Sequence, residues 1–236
     1  MRLRLFMEGT GIANRAAFEV FRLLGLGADA VLPARRALRR AERGFDREAD
    51  IDTLGRVPCA ARDLADRASV GDAWHYAGVD PRVLREALAA IPGAPQAFHF
   101  VDYGSGKGRA MAVAALHGFG AVTGIEFAPS LHRCAVANGE RLRRRHPGAP
   151  WNARLGDAIG FDLPRGSLVV HLYNPFRGVV FESVMRRLAD AAAERADPVF
   201  IVYCNPLYEE VLRRIVPVAD IASGDGWRVF RAIPKH

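Results

Sequence analysis

At 236 residues, half of them hydrophobic, the chain can bury one substantial core. Its formal net charge of +7 suits an acidic surface or nucleic acid, yet all but Lys107 and Lys235 of its 33 basic residues are arginine, a skew that fits genome-wide base composition. No basic run is interleaved with aromatics as a single-strand stacking platform requires, so a nucleic-acid partner is not indicated.

The chain reads as a helical extension with a lid-like loop over residues 1–78 and a main domain over 79–236. Phe18 to Leu32 is the most apolar N-terminal stretch, but Arg22 and Asp29 interrupt it and it falls short of the roughly 20 residues of a membrane-spanning helix. It is expected to pack on the domain as an amphipathic helix, with no membrane partner. Arg35, Arg36, Arg39, Arg40 and Arg43 suit a solvated helix face in preference to a contact with an acidic partner. Residues 44–78 are richer in Asp, Gly and Pro, and the part from Phe45-Asp46-Arg47 through Asp52-Thr53-Leu54-Gly55-Arg56-Val57-Pro58 reads as an irregular lid. Asp80 to Ile91 then reads as a helix, with Asp80 at the N-cap and Pro81 at its first position.

The most informative segment follows. Phe98, Phe100 and Val101 suit a strand covered by helices on both faces. The strand ends in Asp102, and Gly104, Gly106 and Gly108 let the backbone turn tightly and approach a ligand before the Ala-rich helix Arg109 to Leu116. A second apolar run, Ala121 to Ile125, stops at Glu126, eighteen positions past the last glycine and close to the roughly 20 expected for an acid that accepts from ribose hydroxyls.

Further strands are expected at about 151–155, 168–173 and 198–204, with a helix near Pro206 to Ile215. Val216 to Ala222 and Trp227 to Ile233 flank Ser223-Gly224-Asp225-Gly226, a hairpin signal that makes the last strand antiparallel. Alternating strands and helices argue for an α/β, doubly wound, mostly parallel sheet. Cys59, Cys134 and Cys204 lie far apart without metal-ligand spacing, so no metal and a reduced cytoplasmic setting are expected.

The glycines choose between cofactors. A dinucleotide fold carries G-x-G-x-x-G, whereas here the glycines alternate and an acid stands two places before the first, a poor neighbour for a diphosphate. S-adenosylmethionine has no phosphate but carries an ammonium and a sulfonium, which an acid at the first strand end suits. The segment Val101-Asp102-Tyr103-Gly104-Ser105-Gly106-Lys107-Gly108 with Gly124-Ile125-Glu126 resembles the first two motifs of class I S-adenosylmethionine-dependent methyltransferases, and Leu155-Gly156-Asp157-Ala158 resembles the site of their adenine-binding acid. The resemblance spans about Phe98 to Ile233. It implies a seven-stranded sheet of order 3-2-1-4-5-7-6, with Asp102, Gly104, Ser105, Gly106, Gly108, Glu126, Asp157 and Asn174 around the cofactor.

At the end of the fourth strand, Tyr173-Asn174-Pro175-Phe176 resembles a shortened Asn-Pro-Pro-Tyr signature of amino- and amide-methylating enzymes. That likeness implies that Asn174 and Pro175 accept hydrogen bonds from a target nitrogen and that Phe176 stacks on it; Asn205-Pro206 offers a second such pair. The chain is also similar to an uncharacterised bacterial group with Phe-Asp, Asp-Thr-x-Gly-x-Val-Pro, Gly-Ser-Gly-Lys-Gly-Arg and Tyr-Asn-Pro-Phe stretches, itself distantly similar to the non-SET histone lysine methyltransferases. This adds Tyr76 as a wall of the cofactor pocket.

Plainer readings stand beside these. Asp102 also suits a cap on the glycine turn, and Asn174 an Asx turn before proline. Lys107 and Arg109 read as solvated turn cations rather than anion guides, His171 as a core histidine, and His75 as a weaker functional candidate. Trp151 and Trp227 are expected to pack. The expected function is methyl transfer to a nitrogen acceptor whose identity is unknown; a non-catalytic cofactor-binding module with a protein or RNA partner and a nicotinamide-dependent oxidoreductase are the alternatives.

Overall fold

The computed structural model describes residues 33–55 and 78–234. Tyr76, His75, Cys59, the stretch from Phe18 to Leu32 and the Arg56-Val57-Pro58 part of the lid-like segment lie outside them. Contacts divide the chain into residues 1–44 and 45–236. In the first unit, the described residues begin helix α1 (Pro33–Ala49), and the side chains of Arg39, Arg40 and Arg43 are exposed.

The second unit holds the end of α1. Phe45 and Ala49, one turn apart, are both buried, so residues expected to open an irregular lid are helical; Asp50, at φ 55°, ends the helix. Helix α2 (Pro81–Ala89) starts as its sequence suggests. The Asp80 carboxylate accepts from the Arg82 amide at 2.9 Å, and Pro81 takes the first position.

A seven-stranded sheet follows, built from β1 (His99–Tyr103), β2 (Ala121–Glu126), β3 (Asn152–Leu155), β4 (Leu168–Leu172), β5 (Val199–Cys204), β6 (Val218–Gly224) and β7 (Trp227–Ala232). Its order is 3-2-1-4-5-7-6, parallel except for β7, which pairs antiparallel with both β5 and β6. β4 and β5 are buried along their whole length, because helices cover both faces. On one face Phe100, Val169 and Val202 pack with α2 and α3 (Arg109–His117); on the other Val101, Val170 and Ile201 pack with α5 (Gly178–Ala193) and α6 (Glu209–Ile215). Helix α4 (Pro129–Arg145) joins β2 to β3. The strand ends expected from the sequence fall within about a residue of those observed except for β6, which starts and ends two residues later than expected, and the connections after β1, β2, β4 and β5 all leave the same edge. That edge collects the motifs.

Trp151 and Trp227 pack as expected, each over glycines. A Cβ on Gly108 or Gly139 would meet the Trp151 ring, and one on Gly224 would meet Trp227. Among the described residues, no helix is long and apolar enough to cross a membrane and no cluster of candidate metal ligands occurs.

Candidate functional site

The glycine turn leaves β1 with Gly104, Gly106 and Gly108 all in the left-handed region, at φ 69°, 56° and 87°. The amides of Gly104 and Ser105 donate to the Ile125 carbonyl at 2.9 and 3.0 Å, which ties the turn to the end of β2. Gly124 permits this closeness, since a Cβ there would strike Met111 Sδ and Ser105 Cβ.

Glu126 closes the turn. Its Oε2 accepts from the Gly106 amide and its Oε1 from the Ala128 amide, each at 2.8 Å. The residue is buried, and burial pushes its carboxyl up to about 7, against the lowering effect of the Ala128 and Gly106 amides. Each carboxylate oxygen keeps capacity for a further donor.

Asp102 lies on the other side of the turn, buried, with its Oδ1 2.7 Å from His171 Nδ1. His171 is thus a partnered core histidine. Burial alone would lower its pKa, but the adjacent Asp102 carboxylate, helped by Cys204, outweighs that effect and raises it.

Four of the expected site residues meet around one narrow cleft. Gly104, Asp157, Pro175 and Phe176 line it with Ile125, Phe127 and Ala158, and its volume is about 30 Å³. Pro175 rests directly on Gly104, where a Cβ would collide with it, so the tail of β4 is seated against the glycine turn. Asp157 Oδ1 accepts from the Ile159 amide at 2.9 Å. Phe176 is buried and its ring lies 6.3 Å from those of Tyr103 and Phe181, so it belongs to the core as well as to the cleft wall. A wider groove of about 740 Å³, lined by Tyr103, Phe161, Arg165, Arg187 and Arg195 among others, includes none of the expected site residues.

Asn174 is more constrained than an Asx turn requires. Its Nδ2 donates to the Asn205 carbonyl at 2.7 Å, and its Oδ1 accepts from Tyr203 Oη at 2.8 Å. The amide orientation follows, because the Asn205 carbonyl can only accept. Asn174 and Asn205 both precede proline and both adopt positive φ, 47° and 50°. Proline disfavours helical backbone in the residue before it, so the pair stores strain that the shared hydrogen bonds maintain.

Lys107 and Arg109 depart from expectation. Both are buried, at 9% and 2% exposure, and neither is a solvated turn cation. Arg109 Nε donates to Thr53 Oγ1 at 2.7 Å and Nη2 to the Thr53 carbonyl at 2.8 Å, while Asp46 accepts from the Thr53 amide and hydroxyl. Lys107 Nζ donates to the Leu54 carbonyl at 2.8 Å, and Asn138 Nδ2 bridges the carbonyls of Asp52 and Lys107. Residues 45–55 are therefore stapled to the glycine turn. In the sequence Asp46 and Thr53 mark only the lid-like stretch and the group's motifs, with no buried role, and nothing singles out Asn138, although a lone arginine in the otherwise apolar opening of α3 signals a buried partner. Phe127, directly after the Glu126 acid, was also missed.

No protein-family model and no curated protein sequence matches the chain. Solved structures do resemble it. A predicted N6-adenine-specific DNA methylase from Listeria monocytogenes is 13% identical, with 73% of this chain and 54% of that one covered and a TM-score of 0.50. An RNA methyltransferase from Salinibacter ruber in complex with S-adenosyl-L-homocysteine is 20% identical over 68% of this chain and 95% of its own, with a TM-score of 0.46. Magnesium protoporphyrin IX methyltransferase from Synechocystis, with bound S-adenosylmethionine, is 15% identical over 87% and 99%, also at 0.46. At such identities the likeness is one of fold. The chain has a Rossmann-like α/β fold with sheet order 3-2-1-4-5-7-6, which it shares with the predicted DNA methylase.

Proposed function

We propose that the chain transfers a methyl group from S-adenosylmethionine to a nitrogen atom of a protein side chain or a small molecule. The observation that carries this reading is the pair of buried carboxylates, Asp102 and Glu126, on either side of a left-handed glycine turn at one sheet edge. They suit a cofactor with a cationic tail and a ribose diol, and they would repel a diphosphate.

Glu126 has acceptor capacity for ribose hydroxyls beyond the Gly106 and Ala128 amides, and Asp102 offers charge-assisted hydrogen bonding to the ammonium. Asp157 takes the adenine amino group, between Phe127 and Phe176. The cleft between these two side chains is narrow, about 30 Å³, and a bound purine would widen it. The bound cofactor supplies a methyl group on a sulfonium leaving group.

The rest is positioning. Asn174 Oδ1, with one acceptor position left after Tyr203, and the Pro175 carbonyl receive the hydrogens of the acceptor nitrogen and aim its lone pair. Tyr203 supports this as a donor, since burial pushes its hydroxyl above the usual phenol range and keeps it protonated. Backbone strain at Asn174 and Asn205 favours a site over a simple strand end.

Transfer of labelled methyl groups to pools of proteins, peptides and small amines tests the reading. Labelled N-methyl product is expected, and Asn174→Ala should depress turnover with little loss of cofactor affinity. Methylation confined to oxygen or carbon, or a fully active Asn174→Ala variant, overturns the nitrogen assignment. Cofactor binding without transfer to any pool would instead mark a binding module.

A further inference from the structure

Asp102 and His171 are direct register partners on the adjacent parallel strands β1 and β4. Their side chains are 4% and 1% exposed, so the contact is sealed from solvent. The His171 ring is fixed by more than this bond. It stacks on Phe100, with centroids 5.8 Å apart and planes 23° from parallel, and Val202 is its register partner on β5.

A fully buried imidazole cannot meet a substrate. Asp102 from β1 and Cys204 from β5 are the titratable groups that act on it, and Cys204 is itself fully buried. Buried so, that sulfur is out of reach of any methyl acceptor. What His171 can affect is Asp102. Among the described residues, Asp102 makes this one side-chain hydrogen bond, through Oδ1.

We propose that His171 is a positioning residue: by holding Oδ1, it fixes the Asp102 carboxylate so that Oδ2 is presented to the ammonium of the cofactor's amino-acid tail. The inference rests on the cofactor reading above and assigns His171 a part in it. The physical case is geometric. The bond removes rotation of the carboxylate about its last torsion, so less freedom is lost when the tail binds.

Two ligands separate this role from general support of the fold. S-adenosylhomocysteine carries the amino-acid tail; 5′-methylthioadenosine lacks it but keeps adenine and ribose. Calorimetric titration of His171→Leu should show S-adenosylhomocysteine weakened about tenfold or more, as expected for a lost charge-assisted contact, with methylthioadenosine within about twofold of the unaltered protein. His171→Asn keeps an N–H the same number of bonds from the backbone and should restore most of the loss. Equal weakening of both ligands in His171→Leu, or no weakening of either, overturns the positioning role while leaving the cofactor reading intact. An unaltered protein that binds neither ligand overturns both.

If His171→Leu does not fold, the unaltered protein decides the matter. Nitrogen-15 signals of the His171 ring should move on addition of S-adenosylhomocysteine and stay in place with methylthioadenosine. Signals that respond alike to the two ligands overturn the proposal.

Discussion

On the proposed reading, Glu126 makes the cofactor site a proton switch. Burial lifts its carboxyl from an ordinary 4.5 to about 7, an ionisation cost of roughly 3 kcal/mol. Ribose hydroxyls donate to the ionised form, so binding draws the proton off. Affinity for S-adenosylhomocysteine should therefore rise with pH, by about twentyfold between roughly pH 5.5 and 7.5, and level off above that. At about pH 6, close to one proton should leave per ligand bound, measured by calorimetry in two buffers of different ionisation enthalpy. Folding stability moves in the opposite sense. Glu126 holds its proton in the folded chain between 4.5 and about 7 while the unfolded chain does not, so stability contributed by this group falls as pH rises through that window. Glu126→Gln should abolish the proton release, flatten the affinity profile and weaken binding at about pH 8, where its amide replaces one acceptor with a donor. The same slope and the same proton count in Glu126→Gln would refute the reasoning.

Arg109→Ala should leave Asp46 and Thr53 buried without their cation and destabilise the fold by roughly 3–5 kcal/mol in urea denaturation. Arg109→Lys keeps the charge but not the fork, and should recover only part of that loss; a change under about 1 kcal/mol in Arg109→Ala would remove the staple from the account. Gly124→Ala drives a Cβ into Met111 and Ser105 and should cost roughly 1–3 kcal/mol and lower cofactor affinity with it. An unchanged thermal midpoint and affinity would show that the turn has slack.

The apolar runs ending in Asp102 and Glu126, the alternating glycines and the Ser223 to Gly226 hairpin made the sheet legible, because strand burial and tight turns leave local marks. The site was legible where function sits on one short segment. It was hidden where a side chain is completed by a distant one. Arg109 meets Thr53 across 56 positions of sequence and Asn174 meets Tyr203 across 29, and no local pattern announces such pairings. Lys107 and Arg109 looked like exposed turn cations because their acceptors lie in residues 45–55, a segment whose Asp and Gly content suggested a loose lid. His171 and Asp102 stand side by side because each lies one place before the end of its observed strand, a register hidden while the first strand was read as ending in Asp102 and the fourth at 173.

The most direct measurement is a crystal structure of the chain with S-adenosylhomocysteine. The ribose hydroxyls should lie on Glu126 and the ammonium on Asp102, with the purine between Phe127 and Phe176. Ligand bound away from the glycine turn, or a turn left vacant at saturating ligand, would contradict the account.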